Sequence, residues 1–304
     1  MTRPSIGVFD SGVGGLAVLR EIQQQMPNES LVYFADQRNV PYGSRSLDEV
    51  QALSEGITRF LLEQGCELVV VACNTASAAA LKALRSGFPA TQFVGMEPAV
   101  KPAAERSETH KVAVLATPAT FQGALFASVV DRFAHDVEVV EIIAPGLVEL
   151  IEKGQTASEA VDSMLMECLG AATVAGIDTL VLACTHYSFV IPAIQRILGP
   201  SVSVIDPAPA IALQTDRLWG SQKQVAGLRE ATGTRVGTGT QVGKSTQAGT
   251  GTQPGNGTQA GTSIRYFTSG DPNTFRTSIF RLIGDEVNAQ AASWEAGSLV
   301  LRES

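Results

Sequence analysis

GCELVVVACNTAS (Gly65–Ser77) and GIDTLVLACTHYS (Gly176–Ser188) align with each other, apolar run on apolar run and cysteine on cysteine. Each joins a short Val/Leu-rich run, which reads as a buried strand, to a cysteine and small polar residues that open a helix. The match extends outward. IGVFDS (Ile6–Ser11) pairs with VAVLAT (Val112–Thr117) upstream, and FVGMEPA (Phe93–Ala99) pairs with VSVIDPA (Val202–Ala208) downstream. A repeat of about a hundred residues is a duplicated domain rather than a solenoid unit.

The rest of the chain keeps the same rhythm. Strand-like runs at Ser5–Phe9, Leu31–Ala35, Leu68–Ala72, Val112–Leu115 and Leu180–Leu182 alternate with helical patterns at Leu16–Met26, Leu47–Gln64, Ala76–Ser86, Thr120–Phe133, Ala157–Ala175 and Phe189–Leu198. Continuous apolar strands separated by crossover helices predict an α/β fold with mainly parallel sheets. The duplication makes it two similar α/β domains related by a pseudo-twofold axis. Ligands in such sheets sit at the carboxyl ends of the strands, so both cysteines are expected at one cleft between the domains. The expected division is residues 1–97 plus 207–304 for the first domain and 98–206 for the second. Helix-like Pro209–Trp219 and the strand, turn and helix of Ser263–Gly284 then return to complete the first domain. Between them, residues 221–262 repeat Gly, Thr and Gln with almost no apolar side chains. That tract cannot offset its ordering entropy by burial and reads as a disordered surface insertion.

Composition narrows the class. The 304 residues, 44% of them hydrophobic, can bury a large core, and 22 basic against 30 acidic residues give a net charge of −8 without long like-charge runs. This argues against a nucleic-acid partner held by phosphate contacts. No apolar run reaches the length of a membrane span and no leader-like segment opens the chain, so a cytoplasmic protein is expected. The cysteines Cys66, Cys73, Cys168 and Cys184 are few and irregularly spaced, as free thiols in a reducing compartment would be. Cys66, before a strand, and Cys168, within a helical pattern, are expected to lack polar partners and read as small hydrophobes.

Cys73 and Cys184 read differently. A helix N-terminus favours a thiolate, the form that abstracts a proton. Either site alone also fits a structural cysteine at a strand end, but a packing residue has no reason to recur with polar neighbours at both equivalent strand ends. Two matched thiols across a cleft suit removal of a proton from one face of a carbon and its return on the other. Racemisation has that symmetry. His186 and Asp10 are placed to assist the two thiols. DSGVGG (Asp10–Gly15) is a glycine-rich strand-to-helix turn that can receive an anion, although its GxGG spacing is not a dinucleotide fingerprint. Tyr42 and Gly43, in a Pro/Gly loop after the second strand, offer a hydroxyl or backbone N–H to a carboxylate. Cys184 with His186 makes only half a metal site, and no CxxC or HExxH pattern exists, so no metal is expected.

Taken together, FDSGVGG, VPYGSR, VVVACNTAS, EPAVKPA, ATPATF, GLVELIEKG, VLACTHY and IDPA resemble the glutamate racemases of the aspartate/glutamate racemase superfamily, in family order and over nearly the whole chain outside the Gly/Thr/Gln tract. The resemblance implies Cys73 and Cys184 as catalytic bases, the first acting on D-glutamate and the second on L-glutamate, with Asp10, His186 and Glu152 assisting. It implies Asp10, Ser11, Tyr42, Gly43, Asn74, Thr75, Thr185 and His186 as substrate-binding positions. It also implies no pyridoxal phosphate or other cofactor, a homodimer, and a role in supplying D-glutamate for peptidoglycan. Two departures, the long tract and an Ala-Pro (Ala144, Pro145) where relatives have Cys-Pro, touch no catalytic position. The alternatives are an aspartate or other amino-acid racemase of the same superfamily, and a catalytically silent relative that binds a ligand or gyrase. A disulfide between the two cysteines is the least suited reading, because sulfurs about 2 Å apart leave no room for a substrate.

Overall fold

A computed structural model describes residues 4–233 and 263–302. Its strands, in chain order, are β1 (Ser5–Asp10), β2 (Ser30–Ala35), β3 (Cys66–Val71), β4 (Gln92–Gly95), β5 (Lys111–Ala116), β6 (Glu138–Ile142), β7 (Thr179–Ala183), β8 (Ser203–Ile205), β9 (Ile264–Thr268), β10 (Ala289–Glu295) and β11 (Ser298–Leu301). They form two sheets, ordered β11-β10-β9-β2-β1-β3-β4 and β6-β5-β7-β8. Every pairing is parallel except the β10–β11 hairpin. The order β2-β1-β3-β4 repeats as β6-β5-β7-β8, so the duplication read from the two cysteine motifs is also a duplication of sheet topology.

The β1 strand shows why these runs fold this way. All of its residues are buried, Ile6 and Val8 contributing to the core on one face and Phe9 to that on the other. Its neighbours alternate likewise. Tyr33 and Val70 face the first core, and Phe34 and Val71 the second. A parallel strand covered on both faces buries apolar side chains at successive positions, each worth about 1.5–3 kcal/mol for a large residue.

Several boundaries differ from the sequence reading. The helix expected over Thr120–Phe133 is two, Pro118–Gln122 and Ala124–Phe133. They break at Gly123, whose backbone is extended and where a Cβ would lie 2.7 Å from that of Ala78. The segment beginning at Phe189 is the end of a 3-10 turn, Thr185–Val190, followed by the helix Ile191–Leu198. The helix Ala208–Gly233 continues through residues 221–233, so the first part of the tract expected to be disordered is helical, and residues 234–262 lie outside the described residues. The tail adds more than one strand to the first sheet, since β10 and β11 follow β9 at its edge. Cys66 opens β3 instead of preceding it, and its sulfur does have a polar partner, the Ser5 hydroxyl at 3.6 Å. Among the described residues no helix is long and apolar enough to cross a membrane.

Candidate active site

The carboxyl ends of β1, β3 and β7 deliver the chemistry. Cys73 follows β3 and caps the helix Asn74–Gly87, its sulfur accepting the Ala76 N–H at 3.4 Å. Cys184 follows β7 and leads the 3-10 turn Thr185–Val190. Both cysteines line a single cavity together with Ser11, Tyr42, Gly43, Asn74, Thr75, Thr185 and His186. The cavity is small, about 20 Å³, which is room for roughly one water.

Asp10 and Glu152 stand behind this wall. Asp10 is fully buried; its Oδ2 accepts the Gly12 N–H at 3.0 Å and its Oδ1 the Thr185 hydroxyl at 3.2 Å. Glu152 Oε1 accepts from Val13 N–H at 2.8 Å and from His186 Nε2 at 2.6 Å. The other ring nitrogen, Nδ1, lies 3.9 Å from the Cys184 sulfur. Glu152 therefore reaches Cys184 through His186. The anion received by the glycine-rich turn is this carboxylate of the chain itself.

The glycines of that turn are there for closeness. A Cβ on Gly12 would overlap the Glu152 carboxylate, and one on Gly14 would sit 2.4 Å from His186 Nδ1 and 2.5 Å from Thr185 Oγ1. Gly43 is similar, a Cβ there meeting that of Thr117 at 2.6 Å. Side chains at these positions would force the two halves apart.

Asn74 is the least settled polar group. Its side chain is buried on the cavity wall, yet neither its amide nitrogen nor its oxygen has a hydrogen-bond partner among the described residues. Leaving such groups unpaired costs about 1–3 kcal/mol each, so both are suited to a polar ligand. The Tyr42 hydroxyl is committed elsewhere, donating to buried Asp36 at 2.6 Å. Tyr42 and Gly43 thus border the cavity through ring and backbone.

Electrostatics act on the buried groups around the cavity. Burial, reinforced by the Asp10 charge, pushes the Cys73 thiol well above its usual range despite N–H donors from Ala76 and Ser11. Burial also raises Asp10, against the pull of His186. For His186, burial opposes the charged ring, but the hydrogen bonds with Cys184 and Glu152 and the Glu152 charge outweigh it and hold the imidazole well above its usual range. Burial likewise works against the Glu152 charge, and the contacts with His186, Val13 and Gln37 overcome it and lower this carboxyl. Glu152 and His186 form a buried carboxylate–imidazolium pair. Among the described residues no group of three or more His, Cys, Asp or Glu is placed to hold a metal ion.

The sequence reading missed Asp36, Gln37, Thr117, Thr120 and Val148. Thr117 and Val148 line the cavity. Thr117 was open to detection, because the repeat aligns it with Ser11. Its hydroxyl joins those of Thr75 and Thr120 in a closed set of three, at 2.9, 3.2 and 2.9 Å.

The sequence profile of the Asp/Glu/Hydantoin racemase family matches residues 6–215. A glutamate racemase of Roseiflexus sp. (strain RS-1) is 50% identical over 207 residues, 68% of this chain and 76% of that protein. One of Pseudomonas aeruginosa (strain UCBPP-PA14) is 46% identical over 228 residues, 75% of this chain and 86% of its own. The crystal structure of Escherichia coli glutamate racemase, in complex with L-glutamate and the activator UDP-MurNAc-Ala, superposes with a TM-score of 0.75 at 25% identity, covering 99% of this chain and all of that one.

Proposed function

The chain belongs to the Asp/Glu/hydantoin racemase family, and from that membership we propose that it interconverts L- and D-glutamate by a two-thiol mechanism without pyridoxal phosphate. The observation that carries the reading is the pair of cysteines at equivalent strand ends, both bordering one cavity.

In this mechanism the Cys184 sulfur removes the α-proton of L-glutamate while Cys73, held protonated by burial and by Asp10, delivers a proton to the opposite face. The reverse reaction exchanges the roles. The His186 imidazolium, backed by Glu152, assists at Cys184, and Asp10 does so at Cys73. No ring acts as electron sink, so the developing carbanion depends on preorganised donors and on prompt reprotonation. Asn74, Thr75 and Thr185, with Ser11 and the Tyr42–Gly43 backbone, bind the ammonium and the two carboxylates. Supply of D-glutamate to peptidoglycan, a cytoplasmic location and a homodimer belong to the same proposal and rest on the resemblance.

The test is incubation with L-glutamate in D₂O without pyridoxal phosphate, following circular dichroism and deuterium at Cα. Loss of optical activity with deuterium uptake, abolished by Cys73→Ala and by Cys184→Ala, is the expected result. Turnover of aspartate alone would move the substrate. No exchange with either amino acid in folded, reduced protein would overturn the reading in favour of a binding protein.

A further inference from the structure

We propose that Gln37 is a positioning residue for this reaction: its side-chain amide locks Glu152 as a hydrogen-bond acceptor, and so fixes the His186 ring against Cys184. The inference rests on the two-thiol reading above.

Donor and acceptor roles along this path follow one from another. Thr268, fully buried in β9, accepts the Gly270 N–H at 3.0 Å, which leaves its single hydroxyl proton for Gln37 Oε1 at 3.2 Å. With its oxygen so engaged, Gln37 presents its NH₂ to Glu152 Oε2, also at 3.2 Å. The amide orientation is thereby assigned by the network. Oε1 of Glu152 already accepts from Val13 and His186. Every hydrogen-bond partner of the carboxylate among the described residues is a donor, so a proton on Oε2 would face the Gln37 NH₂ and one on Oε1 would face two N–H groups. Glu152 is thus restricted to accepting, and His186 must donate through Nε2.

The location of Gln37 gives this lock a second use. Gln37 and Glu152 both line a pocket of about 340 Å³ that adjoins the cysteine cavity and shares Pro41 and Val148 with it. The amide engages Glu152 Oε2, which Val13 and His186 do not, so the carboxylate is held at both oxygens beside that pocket. Gly270 lets it stand there, since a Cβ at that position would come 2.9 Å from Gln37 Cβ. The segment that returns after residue 262 to extend the first sheet therefore supplies, through Thr268 and Gly270, the outermost support of a catalytic thiol in the other half.

Gln37→Met keeps the side-chain length and removes both polar ends, and Gln37→Glu sets a second carboxylate against the first. Each is expected to lower kcat about tenfold with KM nearly unchanged, the loss of one hydrogen bond to a charged group that orients the reacting shell. The downfield proton resonance of the His186–Glu152 hydrogen bond, assigned by its disappearance in His186→Asn, is expected to shift or broaden in both. Thr268→Val, which frees the amide without removing it, should move both readouts in the same direction by less, and it decides the matter if the Gln37 variants do not fold. An unchanged His186 resonance in a folded variant, or a rise in KM with kcat intact, would overturn the proposal. Failure of the racemase reading is distinguishable, because it leaves the wild type without turnover while the resonance still reports on Gln37.

Discussion

Thr75 Oγ1 in the first half lies 2.9 Å from Thr117 Oγ1 in the second, and on the other side of the cavity Thr185 Oγ1 donates to Asp10 Oδ1 at 3.2 Å. In each case a residue just beyond one cysteine reaches the end of the other half's opening strand. One seam is made of hydroxyls and the other carries a carboxylate. Thr117→Val would leave the Thr75 hydroxyl only Thr120 among the described residues, at 3.2 Å. The expected cost is about 1 kcal/mol of stability with a raised KM for glutamate, measured by denaturant titration and steady-state kinetics.

Asp10 should cost stability at neutral pH. Burial raises its folded pKa above the ordinary 3.8. Its ionisation therefore favours the unfolded chain, with a penalty that is absent below 3.8 and complete above the raised folded value. Asp10→Asn is expected to melt higher than wild type at pH 7, to lose that advantage at pH values below 3.8, and to turn over more slowly. Melting curves across this pH range check the sign.

Gly14→Ala would set a methyl group 2.4 Å from His186 Nδ1. The fold has other anchors, so the expected result is a folded protein with kcat reduced about a hundredfold, the scale of an ångström-sized displacement of a catalytic group. Circular dichroism and turnover on the same sample separate misfolding from misplacement.

Asp36 is a buried carboxylate serving Asn39, Tyr42, Ser269 and Trp294, whose indole N–H donates to it at 2.8 Å. Asp36→Ala strands these donors and is expected to destabilise by about 3 kcal/mol. A shift in tryptophan emission should accompany the loss, because Trp294 in β10 loses its partner. KM should rise as the Tyr42–Gly43 loop loosens.

Replacing residues 234–262 by a short Gly/Ser linker should leave kcat/KM within about twofold, since that stretch of Gly, Thr and Gln offers few apolar side chains to bury. A folded variant without turnover would give the tract a role that its composition does not suggest.

The sheets were legible because their signal is local and repeated. The runs ending at Ala72 and Ala183 are apolar at successive positions, and the alignment of one half with the other marked them as equivalent, while the strand order came only with the structure. The β10–β11 hairpin was not legible. AQAASWEAGSLVL (Ala289–Leu301) is rich in small residues with weak alternation, and its pairing with β9 supplies what propensity does not. At the site, the cysteines and His186 announced themselves by residue type. Asp36 and Gln37 sit in a loop directly after β2, and their partners Ser269, Trp294 and Glu152 are more than a hundred positions away, so no spacing pattern connects them. At the helix break, Gly123 passes so close to Ala78 that a Cβ would not fit, again a tertiary fact.

The two halves are unequal at their thiols. The repeat sets Asp10 against Ala116 and His186 against Thr75, so the two helpers of the proposed mechanism are of different kinds. For an enzyme interconverting mirror images this inequality has a strict limit. Enantiomers have the same free energy in water, the equilibrium constant is one, and the Haldane relation makes kcat/KM identical in both directions. The Asp10 side and the His186 side can divide kcat and KM unequally between the two amino acids. However differently the two helpers are tuned, neither direction can become the more efficient one.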